Sequence, residues 1–151
     1  YDASLLNSII QSTNNIIGLK EECTSFELAY DLIRNIPRDF ISIVAGKSIR
    51  RFEFLKRAGA TTFLSGVGSF CPSFETKYFS SSRKINFLRQ EDKFFDTFMR
   101  IGWHKSMRAA LKGMGLGCAE NRAPFPSTTV AEDGEIKLLI EEIRQWTERT
   151  R

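Results

Sequence analysis

The sequence predicts an α/β chain: part of a (β/α)8 TIM barrel followed by C-terminal helices. Three observations carry this reading. Helix-type and strand-type segments alternate through residues 1–70, the pattern of a parallel sheet covered by helices. After Pro72 only helical periodicity remains, so residues 71–151 read as the last barrel helix and a C-terminal helical region. Three parallel strands are also too few for a sheet that stands alone. A doubly wound sheet has about five or more, and a complete barrel needs about 250 residues against the 151 present. The alternating part therefore fits the closing half of a barrel.

Each element has a local reason. Residues 3–12, ASLLNSIIQS, make a short amphipathic helix. Residues 15–22, NIIGLKEE, read as a buried strand, short, β-branched and not alternating. A helix over 25–36 has Ser25 as N-cap, a stripe of Phe26, Ala29, Ile33 and Ile36, and a stop at Pro37. Residues 39–46, DFISIVAG, form the second strand, closed by Gly46. The next helix, 48–59, runs from Ser48 to Gly59. The third strand, 60–69, ends in a glycine turn. Helices are expected over 73–82, over 84–113 as one long or broken helix, and over 132–148, with a Gly/Pro-containing loop at 114–131.

Composition narrows the function classes. Hydrophobic residues are 42% and charged residues 26%, an ordinary globular balance. The net charge of +4 is a modest excess. Thirteen phenylalanines imply large apolar faces, some of them buried against another chain or a missing segment. Cys23, Cys71 and Cys118 are odd in number and lack metal-ligand spacing. They read as free thiols in a reducing compartment, the cytoplasm. No run of about 18 apolar residues spans a membrane. The first residues carry no basic segment or cleavage site of a signal peptide. The chain starts without methionine and inside a helix, so it is expected to be a piece of a longer protein.

Five features bear on chemistry. Lys20 stands where the first strand ends, and in parallel α/β folds the site lies at the carboxyl ends of the strands. Apolar walls would favour its neutral, nucleophilic amine. Position alone favours a solvated strand-end lysine that begins a loop. IVAGKS (43–48) ends like a phosphate-binding loop, but Ile41 occupies the place of the required first glycine. SGVGS (65–69) could cradle an anion or be a plain turn. KSIRRFEFLKR (47–57) is basic, but Phe52 and Leu55 fall on an inward stripe with the arginines outside, which fits an ordinary amphipathic helix better than a nucleic-acid surface. His104 has no Asp, Ser or metal partner at helical spacing.

Taken in order, NNIIGLKE, FISIVAG, AGATTFLSGVGSF and HKSMRAALKGMGL…NRAPFP resemble the C-terminal half of the dihydrodipicolinate synthase / N-acetylneuraminate lyase family. These are Schiff-base-forming (β/α)8 lyases of pyruvate and other 2-keto acids. The resemblance makes the three strands equivalent to strands six to eight. It implies that Lys20 is the Schiff-base lysine and that Gly46 and Leu64 line the keto-acid pocket, with Ser65, Gly66 and Gly68 flanking it. It implies no metal or organic cofactor, a small 2-keto acid as substrate and a homo-oligomer, dimer or tetramer, for the full-length protein. No nucleic-acid or membrane partner is expected. Two departures leave the substrate open: GKS stands where the synthases carry a GDD-like run, and LSGVGS where they carry ISVTAN. The rival reading is a non-catalytic α/β module whose Phe-rich helical tail mediates association. An isolated half barrel should be inactive and should associate through its exposed edges.

Overall fold

The computed structural model describes residues 2–45, 48–117 and 120–150. The chain divides into two compact units, Tyr1–Ser65 and Gly66–Arg151.

In the first unit, α1 (Ala3–Ser12) precedes β1 (Gly18–Glu21), α2 (Phe26–Asn35), β2 (Ile41–Ala45), α3 (Ile49–Leu55) and β3 (Thr62–Leu64). The strands form one parallel sheet in the order β1–β2–β3. Lys20 pairs with Ile43, and Ile43 with Thr62. Ser25 and Ser48 cap α2 and α3 by accepting from Leu28 N–H and Arg51 N–H, as small hydroxyl residues do at helix starts. The core is Ala29, Ile33, Val44, Phe52, Leu55 and Ala60, with Phe63 stacked on Phe52 at 5.4 Å. Leu32, outside the stripe drawn from the sequence, is buried as well.

The second unit is helical: α4 (Pro72–Ser80), α5 (Lys84–Ile101), α6 (Trp103–Gly113) and α7 (Val130–Arg149). Its centre is aromatic. Phe94 lies 5.1 Å from Phe70, 4.0 Å from Phe98 and 5.9 Å from Trp103, while Trp146 closes on Phe87 at 4.9 Å. Along α5, Phe87, Glu91, Phe94, Phe98 and Ile101 are buried at spacings of three and four, one face of a helix. Lys77 Nζ donates to the carbonyls of Thr147 and Thr150, both at 2.8 Å, so a cation holds the C-terminal end of α7.

Several boundaries differ from the sequence expectation. The first two strands start later, at Gly18 and Ile41 in place of 15 and 39, the first ends at Glu21 in place of 22, and the third covers Thr62–Leu64 before its turn. SGVGS is a turn, as the glycines imply, with Val67–Ser69 in a 3-10 turn and Val67 buried. Of the two forms left open for 84–113 the broken one is found: the helix parts at Gly102, whose φ of 120° and ψ of 119° suit glycine and no helix. The last helix begins at Val130 rather than 132. Thr129 accepts from Glu132 N–H, and the Glu132 carboxylate accepts from Thr129 N–H, a reciprocal capping box. The phenylalanines were expected to look partly for an outside partner. Phe70, Phe74, Phe87, Phe94 and Phe98 are buried inside the second unit, while Phe54, Phe79 and Phe125 are exposed.

Phe94 is fully buried. Phe94→Ala should destabilise the helical unit by about 3–5 kcal/mol, the usual cost of emptying an aromatic core site. Chemical denaturation followed by tryptophan fluorescence checks this, since Trp103 packs against Phe94 and Trp146 against Phe87 of the same helix.

Candidate functional site

Successive side chains of a strand point to opposite faces, so β1 separates its charges. Lys20 shares a face with its cross-strand partner Ile43 and with Thr62. Leu64 lies on this face two residues further along β3 and is 51% exposed. Ile41, paired with Gly18, is exposed there as well. We call this the open face. Glu21, Ser42 and Val44 point the other way, into the helices, and are buried.

Lys20 is the third of the four residues of β1, at the carboxyl half of the strand. Its side chain is 51% exposed, and its Nζ pairs with Glu22 at 2.8 Å. An ion pair this exposed contributes little to stability, about 0–1 kcal/mol. A shallow recess of about 480 Å³ on the open face is lined by Ile17, Gly18, Lys20, Ile41 and Ile43. A second, of about 460 Å³, lies beside β1 against Leu6 and Ile9 of α1 and Leu32 of α2.

Behind Lys20 is a buried ion pair. Glu21 Oε1 accepts from Arg51 Nη2 at 2.7 Å and from Cys23 N–H at 2.6 Å. Arg51 Nη2 also donates to the carbonyls of Cys23 at 2.9 Å and Ser25 at 3.4 Å. This corrects the sequence reading of α3, which placed its arginines outside. Arg51 turns inward because Glu21, one residue past Lys20, must face the helices. Burial pushes the Cys23 thiol up, and the neighbouring Glu21 carboxylate pushes it further, so the thiol stays protonated.

The remaining expected site residues fall as follows. Gly46 lies outside the described residues. Leu64 and Lys20 share the open face, two strands apart. Ser65 closes the first unit, next to Leu64, and is half-buried. Gly66 belongs to the second unit, where a side chain would collide with the Trp103 indole: a Cβ would stand 2.6 Å from its Cζ2. Gly68 follows in the 3-10 turn. His104 is exposed. Among the described residues no group of three His, Cys, Asp or Glu side chains converges to hold a metal. No helix there is long and apolar enough to cross a membrane.

Sequence reasoning passed over Glu75. It lies in the first turn of α4, with Oε1 buried and unpartnered. Burial pushes its carboxyl up to about 7, against a hydrogen bond from Gly68 N–H that holds it down. Nothing in the residue string marks it, because its surroundings come from a turn seven residues earlier. The folded chain holds this proton more tightly than the unfolded chain. The stability it contributes is therefore full below pH 4.5 and lost as pH rises through about 7. Glu75→Gln should flatten that slope in thermal melts and stabilise the helical unit above pH 7 by about 1 kcal/mol, allowing for the solvent the carboxyl still meets.

No protein-family model matches the sequence, and no curated protein sequence does. Solved structures do match. The synthase of Aquifex aeolicus aligns with a TM-score of 0.77 at 11% identity, over 93% of this chain and 50% of its own. The 4-hydroxy-tetrahydrodipicolinate synthase of Methylacidiphilum fumariolicum aligns at 0.76 and 19%, over 97% and 51%. A prophage protein of the dihydrodipicolinic acid synthase family from E. coli K12, solved in complex with pyruvate, aligns at 0.76 and 13%, over 95% and 51%. The chain thus spans about half the length of the structures it matches. It has the fold of the corresponding half of their (β/α)8 barrel, as the sequence predicted.

Proposed function

We propose that the chain is the C-terminal half of a Schiff-base-forming (β/α)8 lyase acting on pyruvate or a related 2-keto acid, with Lys20 as the covalent residue. The observation that supports this most is the place of Lys20. It stands on the open face of the sheet near the carboxyl end of β1, in a chain that folds like half of a synthase barrel. One structural neighbour was solved in complex with pyruvate, which supports a substrate of that class.

The chemistry follows from an amine and a ketone. The neutral Nζ of Lys20 adds to the ketone carbon, the carbinolamine loses water, and a protonated imine forms. That cation draws electrons from the adjacent carbon, which gives up a proton and becomes an enamine nucleophile. Run in reverse, the same imine accepts the electron pair of a breaking carbon–carbon bond. Leu64 and the open-face isoleucines supply apolar wall on one side of Lys20. Half of the Lys20 side chain is exposed in this unit. The walls that would desolvate it, the grip on the substrate carboxylate and the acceptor of the α-proton belong to the other half of the barrel. Gly46, Ser65 and Gly66 take their parts as pocket and rim residues on the same reading. The intact protein would be a cytoplasmic homo-oligomer without a cofactor, and the 151-residue chain by itself inactive.

Incubating the intact protein with pyruvate and borohydride should leave one reduced pyruvyl adduct, on the peptide containing Lys20. Lys20→Arg, which keeps the charge but cannot form the imine, should abolish both the adduct and turnover. No adduct, or one on another lysine, returns the chain to the alternative of a non-catalytic module whose aromatic helices mediate association.

A further inference from the structure

Lys20 and Glu21 are sequence neighbours with opposite charges on opposite faces of a four-residue strand. The helix-facing member is held at several points. The Glu21 side chain is fully buried and that of Arg51 12% exposed. One guanidinium nitrogen, Nη2 of Arg51, reaches the Glu21 carboxylate and two carbonyls of the loop between β1 and α2. The same guanidinium lies 5.5 Å from the centre of the Phe26 ring. It therefore joins α3 to the end of β1 and to the start of α2.

The pair is not built for strength. Glu21 Oε2 and Arg51 Nε are buried without partners, so the contact uses one point of each fork. Such a pair is often no more stable than well-packed apolar side chains in its place, and its best-attested use is to fix register. Register matters here. β1 has four residues, and a one-residue slip would turn every side chain to the other face. The slip would carry the Lys20 ammonium towards Arg51, cation against cation, and leave the Glu21 carboxylate on the open face.

We propose that Glu21 and Arg51 are positioning residues for Lys20: their buried pair is a charge lock that makes the Lys20 amine leave β1 on the open face. The inference rests on the proposed function for its purpose, but the lock can be read without any reaction. Arg51→Met leaves a buried carboxylate unpaired, and β1 relieves it by turning or fraying. Glu21→Leu/Arg51→Met removes both charges and restores a residue suited to the helix side.

The test uses the intact protein and two readouts at Lys20. The first is acylation of its amine by a small water-soluble anhydride, measured by mass spectrometry relative to exposed Lys56. The second is the rate of borohydride trapping with saturating pyruvate. In Arg51→Met both should change, with trapping falling by about tenfold or more, the scale of a misplaced reacting group. The double variant should regain both. If Arg51→Met does not fold, Arg51→Gln replaces it, since a neutral amide leaves the Glu21 carboxylate without its cation, and the same changes are expected. A folded single variant at Arg51 whose Lys20 acylation and trapping match the wild type overturns the lock, whatever happens to its melting temperature, and so does a folded double variant that regains neither. A wild type that gives no pyruvate adduct overturns the Schiff-base reading, while relative acylation of Lys20 across the variants still decides the lock.

Discussion

Side-chain alternation across a short parallel sheet is the constraint on which the first unit depends. Pairing of β1 with β2 and of β2 with β3 sets two rows. Val44, Ser42 and Glu21 go to the helices and are buried; Lys20, Ile41, Ile43, Thr62 and Leu64 go to the open face. The burial of Val44 among Ala29, Ile33, Phe52 and Leu55 decides which row is inward, because that row seals the core. Once it is decided, the position of Lys20 follows, and so does the burial of a carboxylate beside it. A buried carboxylate needs a cation, and α3 supplies it from the only arginine whose side chain turns inward there, among the described residues.

Most of this order was legible in the string of residues. The alternation of segments, the caps Ser25 and Ser48 and the stop at Pro37 mark local events, and local signals are what a sequence displays. The strand ends were read too long because apolar residues continue past the ladder. Ile16 and Ile17 are apolar yet exposed, and they precede the paired residues. The start of the last helix was readable and was passed over: Thr129 and Glu132 have the spacing of a capping box. The Glu21–Arg51 pair was not readable. Thirty residues separate the two, and helical periodicity alone assigns an arginine to the solvent side. Glu75 fails for the same reason, since burial by a folded turn leaves no mark on composition.

The helical unit shows a different economy. Phenylalanine is frequent because a few helices must fill a core with large side chains, and rings meeting edge to face do so without polar atoms to satisfy. Trp103 does two tasks there. It stacks on Phe95 at 5.2 Å and takes the space that any side chain at residue 66 would need. The glycine at 66 is thus explained by packing. A pocket-rim role for Gly66 and a packing role are compatible, because a bare backbone is what both demand.

The open face bears on the proposed chemistry through solvent. A lysine acts as a nucleophile only as the neutral amine, and apolar surroundings favour that form by making the charge costly. In the three-stranded sheet Lys20 has apolar neighbours across the strands, but it also has water over half of its surface and the Glu22 carboxylate at 2.8 Å. Closing a barrel over the face would remove the water and enclose the isoleucines and Leu64 with it. On the proposed reading, imine formation at Lys20 would be a property of the closed barrel, to which this half would contribute the nucleophile, one apolar wall and the pair that aims it.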